Sequence, residues 1–423
     1  MDLLERLNTV IFPEAVGTGC FGDDVKKFIR FKVSSHPGTE QYCSDSTFGD
    51  VLLERKTGFC FGLPVFVKTQ NRCKFPTKAE ANTMFHNEIL FYKTIVPFLR
   101  KYDRYDILTT SFPEFLYGKA GDGHNSEDDF IVLNDLRHRG FRRFIGKHLD
   151  ENHFRLIMDR AGKFHGLSVL WREGDPDGFA EVTGRIKLLD EAKLWADFGE
   201  IKCEKVFREY MFRGVEPLRE DPAYRDRLAG LSGTLERAHE RVSECMVVSG
   251  PLTALIQGDF HVNNMMFKYG ADGTPVEVAF VDFGIVKLCS PAVDLCRVAF
   301  FSMSPQMKRD HWNQLLRQYH DSLCRQIGDH RLKPSFETVD VDVRTKGIHA
   351  YCCVATVMPK VISMKEGVQV PPPPTQTNLD PGGLQEATEA YIKRMKELGG
   401  AYVTEFLVDI VRHMIDKQFI FDG

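Results

Sequence analysis

The apolar pattern changes period along this chain, and that change limits the folds open to it more than any other feature. Between residues 28 and 69 apolar side chains come in short alternating runs (28–34, 47–56 and 63–69) broken at His36-Pro37-Gly38 and Thr57-Gly58. Alternation with such breaks is the mark of strands. Residues 78–98 place Met84, Phe85, Ile89, Tyr92 and Val96 at helical spacing, which predicts a helix ending near Pro97. Phe130-Ile131-Val132-Leu133 predicts one more strand after the polar loop 118–129.

Beyond residue 135 the period is helical almost throughout. Helices are expected at 151–171, 187–212, 221–248, 291–301, 305–328, 338–362, 384–398 and 401–418; in the last, Tyr402, Phe406, Ile410 and Met414 mark a buried stripe. Two short apolar runs interrupt them, Leu252–Ile256 and Val276–Val281. The Gly-Asp-rich turn Tyr269-Gly270-Ala271-Asp272-Gly273 lies between them and predicts a small hairpin pair. Four consecutive prolines, Pro371 to Pro374, make 366–383 a surface loop. Strands first and helices after give an α+β chain of two parts: a small sheet with one helix over 1–135, and a larger, mainly helical part over 136–423.

Charge and cysteine content narrow the function classes. Lys and Arg total 55 against 59 Asp and Glu, a formal net charge of −4 with no strongly basic half, which argues against a dedicated nucleic-acid or anionic-membrane binder. No run reaches the roughly 18 apolar residues of a membrane span, and the start, with Asp2 and Glu5, does not read as a signal peptide. The 11 cysteines form no CxxC pair, and Cys352 and Cys353 are adjacent, so reduced thiols and a cytoplasmic setting are expected. No obligate protein partner is evident.

Chemistry concentrates where the pattern is otherwise apolar. Gln257-Gly258-Asp259-Phe260-His261-Val262-Asn263-Asn264 follows one short run, and Asp282-Phe283-Gly284 follows the next. Loops at strand ends let side chains converge while rigid backbone holds them. Transfer of a phosphoryl group from ATP to an alcohol requires a carboxylate to take the hydroxyl proton, and an amide oxygen with a second carboxylate to hold Mg²⁺. Asp259 is then the candidate base, with Asn264 and Asp282 the candidate metal ligands. Taken singly, each is as well explained as a loop acid or a cap; their order and spacing carry the reading.

These residues resemble the catalytic loop of the protein-kinase-like fold in the version used by aminoglycoside and choline phosphotransferases. More narrowly, 255–297 resembles the ecdysteroid kinase-like (CHK kinase-like) family. Its His-Gly-Asp-x-x-x-x-Asn is matched from Gly258 to Asn264, and its Pro-x-x-Asp-Leu by Pro291-Ala292-Val293-Asp294-Leu295. Val132-Leu133-Asn134-Asp135-Leu136 and Phe164-His165-Gly166-Leu167-Ser168 resemble two further family blocks.

The resemblance implies a bilobal protein-kinase-like fold with ATP and Mg²⁺ as cofactors. It implies Lys68 and Glu88 as an ion pair on the α/β-phosphates, and a connector in which Leu133, Asn134 and Leu136 meet adenine through the backbone. It further implies Asp294 as a brace for the catalytic loop. Three positions depart from the family pattern: Gln257 for His, Asn134 for Glu, and Gly284 for Gln. No GxGxxG follows the first strand, and only Gly38 and Ser44 to Ser46 stand near a phosphate loop.

The function expected is a small-molecule O-kinase acting on a lipophilic alcohol such as an ecdysteroid, a class that the 33 phenylalanines suit. Choline-like or xenobiotic alcohols and a catalytically inactive nucleotide-binding scaffold are the alternatives. A protein kinase fits less well, because no Ala-Pro-Glu follows Asp282 and the next helix begins too soon for a peptide-docking segment. A two-metal phosphoesterase built on Asp259 and His261 would need further His and Asp ligands downstream. His165, Trp171, Trp195 and Trp312 read as core. His261 reads equally as loop support or as polar filler. Trp195, Phe198, Phe207, Tyr210 and Phe212 are candidates for an acceptor pocket.

Overall fold

The structure, a computed structural model, describes residues 2–34, 44–70, 78–121, 129–190, 204–248, 252–368 and 381–421. The chain forms two compact units that interleave along the sequence. One comprises Met1–Ile145, Leu170–Leu189 and Asn263–Val286, the other Gly146–Val169, Asp190–Val262 and Lys287–Gly423.

The first unit is organised by a five-stranded antiparallel sheet of β1 (Val25–Val33), β2 (Ser44–Arg55), β3 (Cys60–Gln70), β4 (Phe115–Lys119) and β5 (Phe130–Asn134), in the order β1-β2-β3-β5-β4. Inward alternation on β2 and β3 buries Val51, Leu53, Val65 and Val67. They pack under Leu7, Ile11 and Phe12 of a helical segment spanning Leu3–Gly17, which the sequence marks only by an amphipathic start. Lysines and arginine on the edge strand β1 (Lys26, Lys27, Arg30, Lys32) discourage pairing with another chain.

The helix Lys78–Leu90 does not stop at Pro97. A π turn, Phe91–Ile95, carries it into Val96–Arg100, with the proline in the first turn of that last segment. The widened turn takes up the carbonyl that a proline ring would otherwise strike. Phe91 and Tyr92 of this turn meet Phe283: the Phe91 and Phe283 rings stack at 3.7 Å between centroids, with Tyr92 at 5.8 Å and Phe112 at 5.5 Å.

The hairpin differs from its expected pairing. The Gly-Asp-rich turn joins β7 (Met265–Tyr269) to β8 (Pro275–Phe280), whereas the run at 252–256 forms β6 (Ala254–Ile256) and pairs with β9 (Lys287–Cys289). Met265-Met266-Phe267 is too short an apolar run to stand out by periodicity, and its neighbour across the turn supplies the missing register.

Among its described residues the second unit is mainly helical, with β6 and β9 as its named strands. The helix Ala292–Ser302 is buried on nearly every side, and Asp294 and Arg297 are buried with it. Glu151–Gly174 packs closely on Trp312–Ile327 because Gly162 and Gly166 carry no side chain. A Cβ there would come within 2.6 Å of the Tyr319 carbonyl and 2.9 Å of Gln326. His165, Trp171 and Trp312 are buried, as expected of core residues. Trp195 and Phe198 lie outside the described residues, as do the prolines at 371–374. Among the described cysteines all are free; Cys245, Cys289, Cys296, Cys352 and Cys353 are buried, whereas Cys60 is exposed. Among the described residues no helix is long and apolar enough to cross a membrane.

The aromatic stack is the anchor for the strand end that carries Asp282. Phe283→Ala should cost about 3–5 kcal/mol by removing a fully buried ring, and Phe283→Leu considerably less. Thermal unfolding of both variants checks this; equal losses would show that ring stacking plays no part.

Candidate functional site

Two clusters carry the candidate residues, one in each unit. The first is built by β3, the helix Lys78–Leu90 and the open end of the β7–β8 hairpin. Strand alternation turns Lys68 to the face opposite Val65 and Val67, toward the helix Lys78–Leu90, and its ammonium lies 2.8 Å from Glu88 Oε2 and 2.9 Å from Asp282 Oδ1. Lys68 and Glu88 are both buried. Burial alone would pull the lysine down, but Asp282 and Glu88 outweigh it and hold the ammonium above its ordinary range. Burial pushes Glu88 up to about 7, with the neighbouring Asp282 charge adding to it and Lys68 opposing. One ammonium therefore faces two carboxylates, and only one of them can be fully compensated. Tyr92, buried beside them, is pushed well above its ordinary range by burial and by the same two acids.

Backbone geometry fixes the two candidate metal ligands. The β7–β8 register pairs Met265 with Phe280, and the Val281 N–H donates to the Asn264 carbonyl at 3.0 Å, so Asn264 and Asp282 sit on neighbouring ends of the two strands. Asp282 has φ 64°, a left-handed conformation that Asp tolerates better than most residues. The next two residues hold it there. The Phe283 ring is in the stack, and its N–H donates to Glu88. The Gly284 carbonyl accepts from Asn87 Nδ2 at 3.1 Å, and Asn87 also exchanges hydrogen bonds with the backbone of Lys187. A Cβ on Gly284 would stand 3.0 Å from that of Met84, which gives a packing reason for glycine where the family pattern has glutamine.

The connector is largely committed to the fold. The Asn134 N–H donates to the Glu114 carbonyl, the Glu114 N–H to Asn134 Oδ1, and the Asp135 N–H to the Pro64 carbonyl; the Leu136 carbonyl accepts from Phe141. Leu133 and Leu136 are buried. Gly38 lies outside the described residues, while Ser44 to Ser46 begin β2.

The second cluster holds Asp259. Its carboxylate is gripped from two sides, with Oδ1 3.4 Å from Arg297 Nη1 and Oδ2 3.2 Å from His261 Nε2. Arg297 also donates to the Gly258 carbonyl. Asp294, fully buried, accepts from the Gln257 N–H at 2.8 Å and the Gly258 N–H at 3.0 Å, so it braces the loop. Gln257 turns its Oε1 to the Asp259 N–H at 2.7 Å. The amide that replaces the family's histidine thus pins the candidate base through its own main chain. Behind Asp294 stands His165, with Nε2 at 3.7 Å and Nδ1 3.0 Å from the Tyr319 hydroxyl.

Some members were not found by sequence reasoning. Arg297 follows Asp294 by three positions and shares its helix face, a spacing that could have exposed it. Lys287, buried within an apolar run, is pulled down to about 7 by burial and by Arg297, with Cys289 and Asp294 opposing. Arg143, a half-buried cation near Asp282, gave no pattern at all.

The raised Glu88 has a consequence for stability. The folded chain keeps a proton that the unfolded chain releases near pH 4.5, so stability falls as pH rises from about 4.5 to about 7 and flattens above. Glu88→Gln should remove that part of the slope. Denaturant unfolding of both proteins across this range decides it, and parallel curves would refute the shift.

The profile of the ecdysteroid kinase-like family matches residues 38–331. Among solved structures, choline kinase from Cryptosporidium parvum Iowa II overlaps with a TM-score of 0.42 at 10% identity, covering 93% of this chain and 94% of that one. The GDP and kanamycin complex of APH(2″)-IIIa overlaps at 0.40 and 11%, covering 92% and 100%. Aminoglycoside phosphotransferase APH(2″)-Ib in its ADP-bound form overlaps at 0.27 and 11%, covering 92% and 99%. At such identities and scores these likenesses lend no residue roles to this chain. No curated protein sequence matches it. The match over 38–331, together with a small antiparallel sheet followed by a mainly helical remainder, places the fold in the protein-kinase-like class, and the chain belongs to the ecdysteroid kinase-like family.

Proposed function

We propose that this protein is an ATP-dependent small-molecule kinase that phosphorylates the hydroxyl of a lipophilic alcohol, an ecdysteroid or a related steroid. The observation that carries the reading is the Lys68 ammonium held between Glu88 and Asp282, with Asn264 beside the latter. That donor set suits the cofactors. Asn264 and Asp282 offer only oxygen, the ligand Mg²⁺ prefers, and Mg²⁺ is commonly held by one or two carboxylates together with substrate phosphates. When bound, Mg-ATP supplies the phosphoryl group and neutralises part of its charge.

The chain's residues do the rest. Lys68, oriented by Glu88, neutralises phosphate charge, and Leu133, Asn134 and Leu136 meet the base through main-chain groups not already committed. Asp259 takes the proton of the acceptor hydroxyl as the new O–P bond forms, and the bond to the leaving diphosphate breaks with its electron pair. Arg297 and His261 hold the Asp259 carboxylate in one rotamer, and Gln257 holds its backbone. A lipophilic acceptor is supported by the family name and by the phenylalanine content; Tyr210 and Phe212 are buried and remain candidates for contact with it.

The roles separate experimentally. Asp259→Asn should lower kcat by about 10²–10⁴ while Mg-ATP affinity stays within about twofold, because the lost group acts on the acceptor. Asp282→Ala should instead weaken Mg-ATP binding itself. ADP release measured over a panel of steroid, phenolic and choline-like alcohols identifies the acceptor class. Undiminished turnover in Asp259→Asn would remove that residue as the base, and Mg-ATP binding without turnover on any acceptor would favour an inactive scaffold.

A further inference from the structure

One cation near Asp282 has no part in the scheme above. Arg142 pairs with Phe267 as an isolated antiparallel bridge, exchanging hydrogen bonds of 2.9 and 2.8 Å, so the chain passes beside β7 at this point, three residues from Asn264 along the sequence of that strand. Successive side chains on such a segment go to opposite faces. The Arg142 guanidinium lies over the Tyr269 ring at 4.3 Å, on the Phe267 side. Continued past the bridge, that alternation gives Arg143 the other face, the one that β7 gives to Met266. Burial works against its charge, and among the described residues Asp282 favours it. Among the described residues no hydrogen bond or ion pair engages the Arg143 guanidinium, although it is half-buried. Arg143 is thus within electrostatic reach of Asp282 without contacting it. Asp282 already gives Oδ1 to Lys68.

We propose that Arg143 is a phosphate-binding residue, a guanidinium that takes the terminal phosphate of the nucleotide from the Asn264 side while Lys68 serves the phosphates on the other side of Asp282. The assignment rests on the nucleotide-site reading given above. A guanidinium is suited to the task, since its donors form a planar fork that matches phosphate oxygens and its charge survives partial burial. It also answers a shortfall in the sequence. With no GxGxxG after the first strand, backbone N–H groups of a glycine-rich loop are not provided in the usual form, and a fixed side-chain cation can carry the charge that they would have met. Arg143 is neither protonated nor deprotonated in the transfer and forms no covalent bond; its contribution is electrostatic.

Calorimetric titration of the 423-residue chain with Mg-ATP and with Mg-ADP, without acceptor, tests this. Arg143→Ala should weaken Mg-ATP about tenfold and Mg-ADP less than about twofold, the loss of one charge-assisted fork to the terminal phosphate. Arg143→Lys, which keeps the charge and loses the fork, should fall between. Thermal melts establish that the variants fold, and the lysine variant carries the test if the alanine variant does not. Equal losses for both nucleotides, or none, would overturn the assignment. Failure of the unaltered chain to bind Mg-ATP would sink the nucleotide-site reading along with it. Normal binding that Asp282→Ala abolishes and Arg143→Ala leaves intact would sink Arg143 alone.

Discussion

A lysine ammonium withdrawn from water and shared by two carboxylates is the interaction on which the first unit depends. Burying Lys68 and Glu88 beside the partly exposed Asp282 is expensive, and their mutual attraction offsets that cost only with close geometry and further hydrogen bonds. Lys68, Glu88 and Asp282 meet both conditions, at 2.8 and 2.9 Å, with the Phe283 N–H on Glu88. The arrangement makes the strand, the helix and the hairpin mutually dependent, because each contributes one member. It also leaves the group one positive charge short. The proposed Mg²⁺, which such a site would have to receive and release again, would be better served by this deficit than by a neutral pair.

In the second unit the same problem, holding a carboxylate in one orientation, has a different solution. Asp259 is partly exposed, and its support comes from buried groups behind it: Arg297 on the side chain, Gln257 on the backbone, and Asp294 beneath both. Glutamine at 257 has a physical consequence that histidine would not. An amide does not titrate, so the hydrogen bond from the Asp259 N–H keeps its acceptor at any pH at which the chain is folded. Arg297 is likewise permanently charged: burial opposes its charge, and Cys353, Asp259 and Asp294 more than offset that.

What the sequence made legible follows from how local each signal is. Strand alternation placed Lys68, and helical spacing placed Glu88, because each depends on only a few neighbours. The order of Asp259, Asn264 and Asp282 stood out because the proposed phosphoryl transfer requires those types in short succession. The π turn at Phe91–Ile95 was not, since widening a helix by one residue leaves the apolar spacing nearly intact. β4 was missed because Phe115–Lys119 is short and contains Gly118. The pairing of β6 with β9 brings together residues some thirty apart, which no local period records. Arg143 and Lys287 were invisible for a related reason, as their significance lies wholly in which distant charges they face.

The left-handed backbone at Asp282 shows how these levels combine. A non-glycine residue at φ 64° is strained, and such strain persists only where the surroundings over-determine it. Here the surroundings can be named. The chain must leave β8 with Val281 hydrogen-bonded to Asn264, turn Asp282 toward Lys68, and at the next residue drive a phenyl ring into the stack with Phe91. Two successive side chains are thus committed to different partners by an ammonium and by an aromatic ring, and the residue between strand and stack absorbs the difference in its backbone. Gly284 then lets the chain pass within contact of Met84, where a larger residue would push the turn outward. The position of the candidate metal ligand is accordingly set less by the hairpin that delivers it than by the apolar anchor that follows it.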